Sequence, residues 1–140
     1  MGRVIGIIVF FFFAFSIFYD WAALERLAIV WGTVSDMASY GASAMAAQGC
    51  YTDQINSDLM AWAVGHNLDT SKITVSPSDT TTAEPYGSNV NLTVGYNYHF
   101  TFTLFGPVDS VNLPLQGYGG AVTYDAPNLA AGSCTSPTFG

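Results

Sequence analysis

VIGIIVFFFFAFSIFY, residues 4–19, decides how this chain is built. No charged side chain interrupts the stretch, and Phe10, Phe11, Phe12 and Phe13 follow one another directly. Burying one phenylalanine is worth about 1.5–3 kcal/mol, so such a run has to find lipid, a partner helix or both. Arg3 precedes it and Asp20 closes it. Beyond the charges Glu25 and Arg26, the residues Leu27, Ala28, Ile29, Val30 and Trp31 resume the apolar character begun again at Trp21 and Leu24, and no proline occurs before Pro77. The pattern predicts one helix from Arg3 to Ala47, about 65–70 Å long at 1.5 Å per residue. Its uninterrupted apolar part is slightly short of the 20 or so residues that span a bilayer, while the whole helix far exceeds one bilayer thickness, so its C-terminal half has to emerge or pack elsewhere.

Arg3 and the apolar run imitate a signal peptide. However, bulky Tyr19 and Trp21 flank Asp20 where a small-x-small cleavage site would be needed, and Ala42–Ser43–Ala44 lies too far downstream. The segment is therefore expected to stay in the mature protein. In the second half of the helix Ser35, Ser39, Ser43 and Ala47 recur every four residues. Small residues at that spacing let two helix backbones approach closely, although the same residues also simply favour helix. Gly49 is the expected C-cap.

Only 9% of the 140 residues are charged, with three Lys and Arg against ten Asp and Glu. A surface kept soluble by Ser, Thr, Asn and Gly fits an exported chain or one covered by copies of itself. The net charge of −7 leaves no basic stripe, which excludes nucleic acid as a direct ligand. Cys50 and Cys134 flank nearly all of the polar remainder, and an even count in such a chain favours a disulfide over two free thiols. Closing that loop is worth about 4–5 kcal/mol on the chain-entropy account.

Beyond the long helix, a short one is expected from Asp53 to Val64, capped by Thr52 or Asp53, ended by Gly65 with Asn67, and buried through Ile55, Leu59 and Trp62. Lys72–Ser76 reads as a strand ended by Pro77, and Ser76–Ser88 as an exposed loop. From Val90 to Leu104 the alternation is clean: Val90, Leu92, Val94, Tyr96, Tyr98, Phe100, Phe102 and Leu104 share one face. Gly95 suggests a bulge, Gly106–Pro107 a break, and Gln116–Tyr124 a third strand. The expected fold class is α+β, a long N-terminal α-helix (1–48) packed on a small antiparallel β-sheet domain (49–140).

These pieces resemble the type IV pilin superfamily, and among them the tight-adherence (Tad-type) pilin-like proteins. The likeness lies in Ala38–Ser39–Tyr40–Gly41–Ala42–Ser43–Ala44 at the end of the long helix, in Gly65–His66–Asn67–Leu68–Asp69 leading into Lys72–Ile73–Thr74–Val75, and in Leu113–Pro114–Leu115. Such proteins usually carry a Glu near the start of the mature chain; Ile5 stands there instead, close to the unusual charge of Arg3.

For a filament subunit the chemistry is assembly. Val4, Ile8, Phe10–Phe13, Phe15, Trp21, Leu24, Leu27 and Trp31 would form the packed interior together with Ser35, Ser39 and Ser43. Arg3, Asp20, Glu25 and Arg26 are charges in apolar surroundings, costly unless paired. Asp20 or Glu25 of one copy meeting Arg3 or the α-amino group of a neighbour would set axial register; otherwise these groups mark the lipid–water boundary. Four consecutive aromatics point in four directions on a helix, so they form no single conducting stack. His66 and His99 have no zinc spacing with the cysteines, Asp53 and Asp58 read as a cap and a solvated face, and no nucleophile elbow or phosphate loop occurs. No enzyme, metal or cofactor is expected. Asn91–Leu92–Thr93 is a glycosylation sequon, joined by the threonines Thr80–Thr82.

The leading expectation is a pilin: a homo-polymer at the cell surface, anchored in the membrane and handled by an assembly machine beforehand, with adhesion to an unidentified surface receptor as a role. The alternative is a single-pass membrane protein, a minor pilin or secretion accessory with its β-domain outside. A secreted binding domain released by cleavage is the third reading.

Overall fold

The computed structural model of the chain describes residues 2–103, 109–124 and 134–139. Helix α1 runs Gly2–Gln48 and helix α2 Asp53–Gly65; a 3-10 turn at Thr70–Lys72 leads into strands β1 (Ile73–Pro77), β2 (Asn89–Phe102) and β3 (Asp109–Val122). The three strands form one antiparallel sheet in the order β1-β2-β3, with Ile73 opposite Tyr96 and Pro77 opposite Leu92. The architecture is α+β, as the sequence pattern implies. The expected strand end at Leu104 and the break at Gly106–Pro107 lie outside the described residues.

The chain folds into two compact units, one holding the residues up to Val30 with Tyr98–Leu113, the other Trp31–Asn97 with the residues from Pro114 onward. In the first, α1 turns a half-buried stripe of Ser16, Asp20, Ala23, Leu27 and Val30 inward, at the three- and four-residue spacing of one helix face. Tyr98, Phe100 and Phe102 of β2 are half-buried there, and the rings of Phe100 and Phe102 stack at 5.9 Å.

The second unit holds the core. Val34, Met37, Ala38, Ala42, Met45 and Ala46 of α1 are buried. Ile55 and Leu59 of α2 are buried in the same unit, as are the inward residues Val90, Leu92 and Val94 of β2, which the period-two alternation implies. Gly41 admits the side chains of Leu92 and Leu59, and a Cβ on Gly117 would stand 2.6 Å from the Val34 carbonyl oxygen. Glycines on both elements are what allow helix and strand to come this close.

Local signals hold at the helix ends. Gly49 has φ 85° and its N–H donates to the Met45 carbonyl at 2.6 Å, the C-cap expected of it. Thr52 Oγ1 accepts from Ile55 N at 3.4 Å as the N-cap of α2. Asn67, at φ 56°, takes the left-handed turn that ends α2, and buried Leu68 donates back to the Ala63 carbonyl at 2.9 Å.

Three expectations need correcting. Gly95 marks no bulge: the β1–β2 register runs unbroken through it, with Thr74 opposite, and its missing Cβ leaves room for the Thr74 hydroxyl. β3 starts at Asp109 rather than Gln116 and runs through Pro114, because an edge strand tolerates a residue without an N–H. On α2 the buried set is Ile55, Asn56, Leu59 and Ala63, while the larger Trp62 is half-buried and stacks at 3.8 Å on His66.

Candidate assembly surface

The residues of α1 from Val4 to Trp31 carry an apolar surface too broad for one face of a soluble helix. Phe10 is 68% exposed, Phe15 and Phe18 72%, and Trp21 69%. Val4, Ile8, Phe11, Phe12, Phe13, Leu24 and Trp31 are exposed as well. Outside the narrow stripe that meets the strands, apolar side chains therefore look outward all round the helix. Of the residues expected to pack between copies, Leu27 and Ser35 are half-buried, each within its own unit. Trp31 is partly tethered, its Nε1 donating to the Gln116 carbonyl at 3.2 Å. By length and composition the helix is long and apolar enough to cross a membrane.

The aromatic run makes no continuous stack. Phe10 meets Phe11 edge-on with centroids 6.0 Å apart, and Phe12 meets Phe13 edge-on at 6.5 Å. A shallow notch of about 180 Å³ opens beside Tyr19, Ala22, Ala23, Arg26, Tyr98 and Phe100, wide enough for an inserted side chain.

The four charges are treated unequally. Asp20 is half-buried, and its Oδ1 accepts from Thr103 N at 2.7 Å and from Thr103 Oγ1 at 3.1 Å. Ser16 Oγ lies 3.4 Å from the same threonine hydroxyl. Arg3, Glu25 and Arg26 are exposed. Among the described residues the ion pair is elsewhere, Lys72 to Asp69 at 3.6 Å. Hydrogen bonds from the Ser71 side chain and N–H, with Lys72 beside it, hold the Asp69 carboxyl below the usual carboxylate range.

Farther along α1, Ser39 and Ser43 are exposed and Ser35 half-buried. Ser39 Oγ donates to the Ser35 carbonyl at 3.1 Å, and Ser43 Oγ to the Ser39 carbonyl at 2.9 Å. The hydroxyls thus fold back on their own helix and leave a smooth ridge of small residues.

Cys50 and Cys134 are joined, with Cα atoms 5.7 Å apart across a sequence separation of 84. The bridge ties the C-terminal segment to the start of α2: Thr52 pairs with Cys134, and Thr135 N donates to the Tyr51 carbonyl at 2.8 Å. Buried Asn56, which the sequence reading passed over, completes the clasp. Its Oδ1 accepts from Tyr51 OH at 3.0 Å and Thr138 N at 3.1 Å, and its Nδ2 donates to Thr138 Oγ1 at 3.1 Å. Burial pushes the Tyr51 phenol well above its ordinary pKa.

Asn91 is exposed on β2 with its N–H taken by Ser78 Oγ at 3.0 Å. His66 Nδ1 lies 2.8 Å from the Trp62 carbonyl, and His99 Nδ1 3.0 Å from Asn112 Oδ1. Each histidine is engaged locally.

No protein-family model, curated protein or solved structure matches the chain. What stands is the architecture: an apolar N-terminal helix, an antiparallel sheet packed on it and a disulfide, a pilin-like arrangement of elements. The exposed apolar helix and the disulfide mark a membrane or secreted protein.

Proposed function

We propose that the chain is a structural subunit of an extracellular pilus of the Tad type, polymerising through α1. One observation carries the reading: between Val4 and Trp31 the helix exposes large apolar side chains around most of its circumference, while the disulfide-closed second unit has its own finished core. A helix apolar all round is stable only when lipid or other helices surround it. Held in the membrane first and among other copies afterwards, it stays dry throughout, so the transfer into a filament costs little desolvation. The notch beside Ala22 and Ala23 offers such a neighbour's side chain a seat.

Among copies, the exposed charges need partners. We assign Arg3 or the α-amino group of one subunit to Glu25 or Asp20 of another, Glu25 first because Thr103 already engages Asp20. The role is structural, with no catalytic step and no cofactor. Before assembly the subunit sits in the membrane with its assembly machinery; afterwards it lies at the cell surface.

The second reading, a single-pass membrane accessory protein, rests on the length and apolarity of the same helix. Shearing cells and fractionating them separates the two. Recovery of this chain as the dominant species of the filament fraction supports the pilin; retention in the detergent-soluble membrane supports the accessory protein and sinks the pilin.

A further inference from the structure

One face of the second unit has no part in the assembly surface. On the solvent side of the sheet, Thr74, Ser76, Asn91, Thr93, Asn97 and Gln116 project outward, all hydroxyl or amide side chains. The cation at its margin, Lys72, is neutralised by Asp69 at 3.6 Å. Gly95 lies opposite Thr74 in the β1–β2 register, and beside the pair a trench of about 130 Å³ opens, its apolar wall Tyr96, Pro114 and Leu115 and its polar wall Lys72, Thr74, Asn97 and Gln116. Two residues along β3 stands Tyr118, 68% exposed, whose phenol donates to Gln116 Oε1. That bond places the ring beside the Gln116 side chain at the edge of the trench.

Polar groups converging on a partly apolar concavity beside an exposed aromatic ring are the makings of a small-ligand site. This one holds donors and acceptors without net charge. An acidic polymer is repelled by a chain of net charge −7. What fits is a neutral polyol with one apolar side. We propose that this face binds neutral polysaccharide, a sugar ring lying on Tyr118 with its hydroxyls among Thr74, Asn97 and Gln116. An aromatic ring offers the apolar contact that the C–H side of a sugar needs, and the amide and hydroxyl groups answer its alcohols. The inference rests on the filament reading for its strength in use, since one shallow site is weak and many copies along a polymer multiply it.

The test is affinity electrophoresis of the detergent-solubilised full chain in gels containing dextran, amylose, laminarin or hydroxyethyl cellulose, with alginate as the acidic control. At least one neutral polymer retards the protein and alginate does not. Tyr118→Ala and Gln116→Glu each weaken that retardation at least tenfold with an unchanged melting temperature, whereas Val122→Ala, farther along β3, leaves it intact. Absence of retardation in all four neutral gels, equal retardation by alginate, or undiminished binding by both variants overturns the inference. Filament counts from the same variants keep the two ideas apart: normal filaments without polysaccharide binding concern this face alone, and an unsubstituted chain that makes no filaments sinks the assembly reading while the gel result stands.

Discussion

A Cβ on Gly117 would stand 2.6 Å from the carbonyl oxygen of Val34, and two residues on Gly119 would press the same way into the backbone of Ala38 and Ser39. β3 therefore touches α1 backbone to backbone, and any side chain at these two positions separates them. Gly117→Ala and Gly119→Ala are each expected to destabilise the second unit by about 1–3 kcal/mol or more, the cost of overpacking a tight contact. Gly120→Ala is the control: its Cβ would meet the movable Asn91 side chain at 3.0 Å, so the loss there should be small. Denaturant unfolding of the three variants in detergent, followed by near-UV circular dichroism, gives the ranking; equal midpoints for all three would refute the close contact.

The disulfide should carry a large share of the stability of this unit. With a sequence separation of 84, the loop it closes is worth about 4–5 kcal/mol on the chain-entropy account. The double variant Cys50→Ala with Cys134→Ala, or reduction of the native protein, is expected to lower the unfolding free energy by that amount. A shift below about 1 kcal/mol would mean that the clasp around Asn56 holds the C-terminal segment without the bridge.

That clasp is separately testable. Removing the Asn56 amide leaves the buried Tyr51 hydroxyl and the Thr138 N–H without their acceptor, at about 1–3 kcal/mol for the unsatisfied groups. Asn56→Leu keeps the volume and should show the loss; faster hydrogen exchange at the Thr138 amide is its local signature. Unchanged exchange at Thr138 would rule the clasp out.

How much of this was legible beforehand follows from the range of each interaction. The long helix was readable because the run from Val4 to Tyr19 permits little else, and β2 because Val90, Leu92 and Val94 alternate with polar neighbours. The caps at Gly49, Thr52 and Asn67 are local and equally plain. What escaped was whatever depends on residues far apart in the chain. Gly117 and Gly119 read as a weak strand, since glycine advertises no face; their partners are in α1. Asn56 carries no signal in its helix, because its partner lies 82 residues away. Asp20 reads as a charge for another copy's cation or for the lipid–water boundary, and the partner within its own chain, Thr103, lies 83 residues on.

Acid should weaken the loop after β1. Partial burial works to raise the Asp79 pKa, but the N–H groups of Thr81 at 2.9 Å and Thr82 at 3.1 Å donate to Oδ1, and the net direction is down. A carboxyl depressed in the folded state stabilises it above its unfolded value of about 3.9, and that contribution is lost as pH falls through the folded value. The unfolding midpoint should therefore drop below about pH 4. In Asp79→Asn the acid-dependent part of the drop should shrink, with a cost of about 1 kcal/mol at neutral pH for the weakened hydrogen bonds. An identical pH profile in the variant would remove Asp79 from the account.

If Glu25 answers Arg3 or the α-amino group of a neighbour inside the filament, Glu25→Ala leaves a cation buried without its partner, a loss of about 3–5 kcal/mol per contact. Glu25→Ala should then reduce sheared filaments by an order of magnitude or more while the subunit stays folded in the membrane, and Arg3→Ala combined with it should restore part of the count. Asp20→Ala is the comparison that separates assembly from folding, because it also removes the acceptor of the Thr103 N–H and should lower the stability of the subunit on its own. Normal filament counts in both single carboxylate variants would leave the register to apolar packing alone.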